Sequence, residues 1–273
     1  MGFVETAEGV TIHYEERGTG FPVVFVHGWA MSGRVWAFQE ELAGRFRLIT
    51  VDLRGHGKSA APEEGYAFAD FGADLVALFD RLELRRAAVI GWSLGVQVAL
   101  EAYPALAEHI AALVFVSGTP KFTAAADWPH GLPATEARGL GLRLRRSYDA
   151  TLGDFFRRMF AEGELSREQN QRIAREIVIP RLLPDPHTVA ATLDALAAGD
   201  HRHLLSAVAA PTLVVHGDRD AICLPAAGRF MAEEIPGARL EPMNGVGHAP
   251  FLSRPEAFNR LVEAFLAEVS ARD

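Results

Sequence analysis

The stretch Gly91-Trp92-Ser93-Leu94-Gly95 constrains this chain more than any other. The apolar run at residues 87–90 predicts a buried strand, and residues 94–102 predict the start of a helix. A turn that tight between strand and helix leaves no room for a Cβ at its flanks. Glycine at 91 and 95 relieves the crowding and leaves the Ser93 hydroxyl standing at the tip.

The pattern around this turn repeats it. Residues 23–26, 46–51, 111–116 and 212–216 predict further strands, most of them too uniformly apolar for a sheet covered on one face only. Residues 10–15 alternate apolar and polar side chains and, with 3–6, predict a hairpin at a sheet edge; 238–241 is a weaker last strand. Helices are expected over 33–43, 68–82, 225–234 and 255–268, and Pro104 is expected to end the helix after Ser93. Over 68–82 the apolar face carries Phe71, Leu75, Leu78 and Phe79, with Asp70, Asp74 and Arg81 on the opposite face. Strands alternating with helices at this spacing predict an α/β fold with a mostly parallel sheet. From about 117 to 209 the strands stop. Helical stretches separated by Gly163, Pro180, Pro184-Asp185-Pro186 and Gly199 predict an inserted helical lid at 118–209, the core being 1–117 and 210–273.

Composition narrows the function. A net charge of −8 gives no reason to expect nucleic-acid binding, and 49% hydrophobic residues suffice for a full core. The single cysteine, Cys223, excludes an internal disulfide or a Cys-rich metal site and reads as a buried structural thiol. No basic and apolar leader opens the chain, and no run approaches the roughly 18 apolar residues of a membrane span. A cytoplasmic protein, monomeric and without a membrane association, is expected. His201 and His203 with Asp200 read as a loose surface cluster rather than metal ligands. Residues 54–59 are glycine-rich but lack phosphate-loop spacing.

A serine hydroxyl is a poor nucleophile until a base takes its proton, and the base needs a third group to fix its tautomer. The strand–turn–helix and its surroundings resemble the α/β-hydrolases over nearly the whole chain. That family's order of nucleophile, acid and base is met by Ser93, Asp220 and His248, each near a strand's carboxyl end. Asp218 competes for the acid's place, but Asp220 lies two residues further into its loop, where a side chain can turn back toward His248. The oxyanion donors expected are the backbone amides of Leu94 and of Trp29, in the loop after 23–26. The rings of Trp29 and Trp92 suit a pocket wall or plain core packing. His27 and His56 read as groups tying loops together.

Within the superfamily the chain resembles the pimeloyl-[acyl-carrier protein] methyl ester esterases of biotin synthesis. The residues that carry this are His27-Gly28-Trp29, the Gly-Trp-Ser-Leu-Gly turn, Ser117-Gly118-Thr119-Pro120 with Asp127-Trp128-Pro129, Gly217-Asp218-Arg219-Asp220, and Gly247-His248-Ala249-Pro250-Phe251. Val96 departs from it, standing where members usually have a second glycine, and the segment through Tyr14 is longer than in some. The resemblance implies hydrolysis of a methyl ester on a carrier-bound pimeloyl chain, without cofactor or metal, and an Arg-rich lid that engages the carrier protein. Between residues 138 and 181 there are ten arginines and six acids, while the rest of the chain carries a net −12, a pattern that suits an acidic partner at the mouth of the site or simply a solvated Arg-rich helical face. Arg157, Arg158, Arg172 and Arg175 are the candidate carrier contacts, and Phe155, Phe156 and Met159 suit an apolar lining or a contact that holds the lid to the body. The alternatives are a small-ester carboxylesterase with no carrier, cofactor-free lyase or peroxidase chemistry on the same residues, and a non-catalytic binding protein.

Overall fold

The computed structural model describes residues 1–178 and 182–271; Pro180 and Arg181 lie outside the described residues. Eight strands form its sheet: β1 (Gly2–Glu5), β2 (Thr11–Arg17), β3 (Pro22–Val26), β4 (Arg47–Val51), β5 (Ala87–Trp92), β6 (Ile110–Val116), β7 (Thr212–Gly217) and β8 (Arg239–Met243). Their order is β1-β2-β4-β3-β5-β6-β7-β8. The first two pairings are antiparallel and the other five parallel. The β1–β2 hairpin therefore borders a parallel body. Central β5 and β7 are buried along their full length, which is why their sequences are near-continuous runs of Val, Ile, Leu and Ala. The last strand, β8, pairs on one side only, stays largely exposed and tolerates Pro242.

Helices α1 (Phe68–Arg81), α2 (Leu94–Leu106), α7 (Pro225–Glu234) and α9 (Pro255–Ser270) cover the sheet with a short α8 (Pro250–Ser253) before the last. Three details differ from the sequence reading. Asp74 is not on a solvent face: it is buried and holds the equally buried Arg54 through two 2.7 Å bonds, a fork that a polar residue on an amphipathic helix gives no hint of. Pro104 does not end α2, which runs two residues further. Residues 33–44, expected as a helix, form a 3-10 stretch that buries Trp36, Phe38 and Leu42.

Between β6 and β7 lie α3 (Ala134–Arg146), α4 (Tyr148–Arg158), α5 (Arg167–Ile173), a π-helical turn at Ala174–Val178 and α6 (Pro186–Ala198). Ser166 and Gln169 form a capping box on α5, and Asp185 caps α6 with Pro186 in its first turn. The chain leaving α6 is anchored rather than loose: Asp200 binds Lys121 and Arg202, and His201 is buried, pairing with Glu101 at 3.1 Å. No group of three or more His, Cys, Asp and Glu among the described residues could hold a metal, and no helix among them is long and apolar enough to cross a membrane.

Candidate active site

The turn after β5 is as tight as its glycines imply. A Cβ on Gly91 would lie 2.5 Å from the Gly95 carbonyl oxygen, and one on Gly95 would lie 2.4 Å from that of Val26. Ser93 sits between them at φ 56° and ψ −116°, a backbone conformation that costs a non-glycine residue about 1–3 kcal/mol and persists only where its surroundings impose it. The β3 exit loop runs directly alongside: a Cβ on Gly28 would be 2.9 Å from the Trp92 ring and 3.1 Å from Ser93 Cβ. The amides of Trp29 and Leu94 flank this point, and among the described residues neither donates to a protein acceptor. The Leu94 amide also opens α2, where the helix dipole favours negative charge.

Asp220, not Asp218, faces the histidine. Asp220 Oδ2 accepts from His248 Nδ1 at 2.8 Å, and its Oδ1 accepts from the amides of Ile222 and Cys223 at 2.8 and 3.0 Å. Asp218 is exposed and caps the Gly245 amide at 2.6 Å. Burial alone would raise the Asp220 carboxyl. The charge of His248 and hydrogen bonds from His216 and His248 outweigh that and lower it to about 2. A carboxylate only accepts, so the His248 Nδ1 that meets it carries a proton.

Two contacts join this dyad to the serine. The Trp92 indole N–H donates to the His248 carbonyl at 2.8 Å, with the two rings 5.3 Å apart. The Cys223 thiol lies against the Ser93 hydroxyl while its amide binds Asp220, and burial pushes that thiol well up, so it is an uncharged neighbour. Sequence reasoning gave Cys223 no partner; its place one turn beyond Asp220 was the available signal.

Sequence reasoning also missed His216 and Glu164. His216 donates from Nε2 to the Cys223 carbonyl at 2.8 Å and lies 3.4 Å from Asp220 Oδ2, a second histidine on the same acid. Its position four residues before Asp220 is the only hint. Glu164 accepts from the Gly247 amide at 2.8 Å across 83 residues, for which the sequence holds no signal. His27 does tie loops together: it accepts from the Leu53 amide at Nε2 and donates from Nδ1 to the Gly28 carbonyl. Burial lowers it to about 4 and the neighbouring His56 to about 3.

Of the expected lining residues, Trp29 and Phe155 meet edge to face at 4.8 Å, and the Trp29 indole N–H donates to the Val189 carbonyl on α6. Phe156 is half-buried beside Phe155, and buried Met159 offers its carbonyl to the His248 amide at 2.7 Å. Trp92 packs on His248 and Phe251, so its ring supports the loop that carries His248. Phe155 also lines a narrow, mostly apolar cavity of about 40 Å³ with Leu140, Arg143, Arg158 and Ile222. The candidate lid arginines are all engaged within the chain. Arg157 pairs with Asp154, Arg158 with Glu136, and Arg172 and Arg175 both with Glu176. On α3, by contrast, exposed Arg138, Arg143, Arg145 and Arg146 have no acidic partner among the described residues.

The model of the α/β hydrolase fold family matches residues 22–255. The chain belongs to that family. This hydrolase is closely related to the pimeloyl-[acyl-carrier protein] methyl ester esterases; it is 38% identical to the one from Nitrosomonas europaea over 251 residues, covering 91% of this chain and 96% of that one. Among solved structures it resembles an esterase from Exiguobacterium antarcticum, with a TM-score of 0.91 at 28% identity over 98% of this chain and all of that one. A bromoperoxidase from Bacillus anthracis superposes with a TM-score of 0.89 at 28% identity, covering 97% and 99% of the two chains. The architecture is that of a serine-type carboxylic ester hydrolase.

Proposed function

We propose that this hydrolase cleaves the methyl ester of a pimeloyl chain carried on an acyl-carrier protein, with Ser93 as nucleophile, His248 as base and Asp220 as its orienting acid. His248 Nε2 takes the proton of Ser93 Oγ as the oxygen attacks the ester carbonyl. The oxyanion is met by the Trp29 and Leu94 amides; a single such donor is worth roughly 3 kcal/mol. The imidazolium returns the proton to departing methoxide, releasing methanol. Water, deprotonated by the same ring, then frees the carboxylic acid and Ser93. The observation that carries the chemistry is the 2.8 Å His248–Asp220 bond beside a serine held at positive φ.

The carrier half of the reading is supported by the relatives' activity and by lid charge. The unpaired arginines of α3 offer more free positive charge than Arg157, Arg158, Arg172 and Arg175, each of which already has an acid. The apolar cavity between α3 and α4 suits a methylene chain in character but not in size, since about 40 Å³ holds only a few waters. A soluble carrier makes the reaction cytoplasmic. The pairing of the α4 and α5 arginines favours a second reading, a small-ester carboxylesterase that needs no carrier.

Methanol release separates the two. The carrier-bound pimeloyl methyl ester and the free methyl ester are compared for the unaltered protein, Ser93→Ala, Arg172→Glu/Arg175→Glu and Arg143→Glu/Arg145→Glu. The carrier reading expects faster turnover of the carrier-bound ester and loss of that advantage on reversing lid charge. Equal rates on both substrates, untouched by either reversal, leave the carboxylesterase. Activity surviving Ser93→Ala ends both.

A further inference from the structure

Glu164 is a buried carboxylate that no step above uses. It lies in the connection from α4 to α5 and is 5% exposed. One oxygen, Oε1, has no hydrogen-bond partner; the other accepts from the Ala161 amide at 2.6 Å and from the Gly247 amide at 2.8 Å. Next to it the Met159 carbonyl accepts from the His248 amide at 2.7 Å. Both amides of the Gly247-His248 pair therefore end on the inserted helices. Two further bonds run the same way, from Arg254 to the Glu164 carbonyl at 3.2 Å and from Gln169 to the Ser253 carbonyl at 3.0 Å. The approach is too close for a side chain at 247: a Cβ there would lie 2.6 Å from the Met159 carbonyl oxygen and 3.1 Å from Glu164 Oε2.

A half-satisfied buried carboxylate is expensive to keep for packing alone, whereas charge-assisted bonds to backbone amides are shorter and stronger than neutral ones. The His248 main chain is thus held from two sides, by Trp92 on the sheet and by Met159 and Glu164 on the insertion. We propose that Glu164 is a positioning residue for His248: it clamps the base-bearing loop to the inserted helices, so that the seating of those helices sets the reach of the imidazole toward Ser93. This rests on His248 being the base.

The test uses the full chain and a short ester, p-nitrophenyl acetate, comparing the unaltered protein with Glu164→Ala, Glu164→Gln, Gly247→Ala and His248→Ala. Glu164→Ala is expected to lower kcat by about tenfold to a hundredfold, the scale of an ångström-sized misplacement, with KM little changed. Glu164→Gln keeps an oxygen acceptor for both amides and restores most of the loss. Gly247→Ala wedges the same contact from the other side and reproduces the kcat defect, which keeps the test open if Glu164→Ala does not fold. A Glu164→Ala enzyme with normal kcat, or one changed in KM alone, overturns the clamp, as does Glu164→Gln being no better than Glu164→Ala. His248→Ala retaining full activity sinks the assignment of the base itself; its inactivity beside unimpaired Glu164→Ala and Gly247→Ala sinks only the clamp.

Discussion

The indole N–H of Trp92 donates to the carbonyl oxygen of His248 across 156 residues of chain. The residue just before the strained serine thus holds the backbone of the histidine proposed to activate it. Trp92→Phe keeps most of the ring and removes the donor. An unpaired buried carbonyl costs about 1–3 kcal/mol. A lower Tm and a fall in kcat larger than any change in KM are expected from thermal melts and steady-state ester hydrolysis.

Asp220 and Asp218 separate cleanly by substitution. Asp220→Asn leaves His248 without a carboxylate on Nδ1, and kcat should fall by about 10³–10⁴. Asp218→Asn keeps an oxygen acceptor for the Gly245 and Val246 amides it caps, does not touch His248, and should leave kcat near its starting value. Equal effects of the two on ester turnover would contradict the geometry.

Acid should destabilise the fold well above the carboxylate range. His27 and His56, lowered to about 4 and about 3 by burial, bind protons in the unfolded chain before they do so in the folded one. The unfolded state then holds more protons between pH 6.5 and 4, so stability falls as pH falls through that window. At pH 5 each histidine contributes a loss of about 2 kcal/mol. Asp220 adds a further loss only below about pH 4, as its carboxyl, lowered to about 2, is protonated last in the folded state. Urea midpoints at pH 7, 5.5 and 4.5 measure this, and a flat profile from 7 to 5 would refute it.

Arg54 and Asp74 form a buried fork under α1. Asp74→Ala leaves the buried guanidinium with only the exposed Glu8 carboxylate and the Gly65 carbonyl, and should cost up to about 3–5 kcal/mol in chemical denaturation. Replacing both by apolar residues of similar volume should recover much of that loss.

Sequence alone reached the parallel sheet, the serine turn and the turning back of the Asp220 side chain toward His248 because each leaves a local mark: a Val/Ile run, a pair of glycines, a loop at a strand's end. Asp74 was misjudged because helical periodicity knows one helix at a time, and its partner is twenty residues earlier in a turn. Pro104 failed as a stop because a proline near a helix's end removes a bond that the last turn can spare. Glu164 was invisible for the same reason as Asp74, and His216 left only its place four residues before Asp220 as a hint. Their importance lies in what the fold brings to them. Val96, odd in sequence, is explained by packing: a Cβ on Gly118 would come within 2.4 Å of its side chain, so that glycine makes the room valine fills.

A Cβ on Gly217 would lie 2.0 Å from the Gly247 carbonyl oxygen, and Val246 crowds the same spot. Where the acid's strand leaves the sheet, then, two bare peptide chains are pressed together with nothing compressible between them. A side chain at either glycine would have to push the strand that leads to Asp220 away from the loop that carries His248, so bare backbone at this crossing is what lets the 2.8 Å bond between those two side chains close.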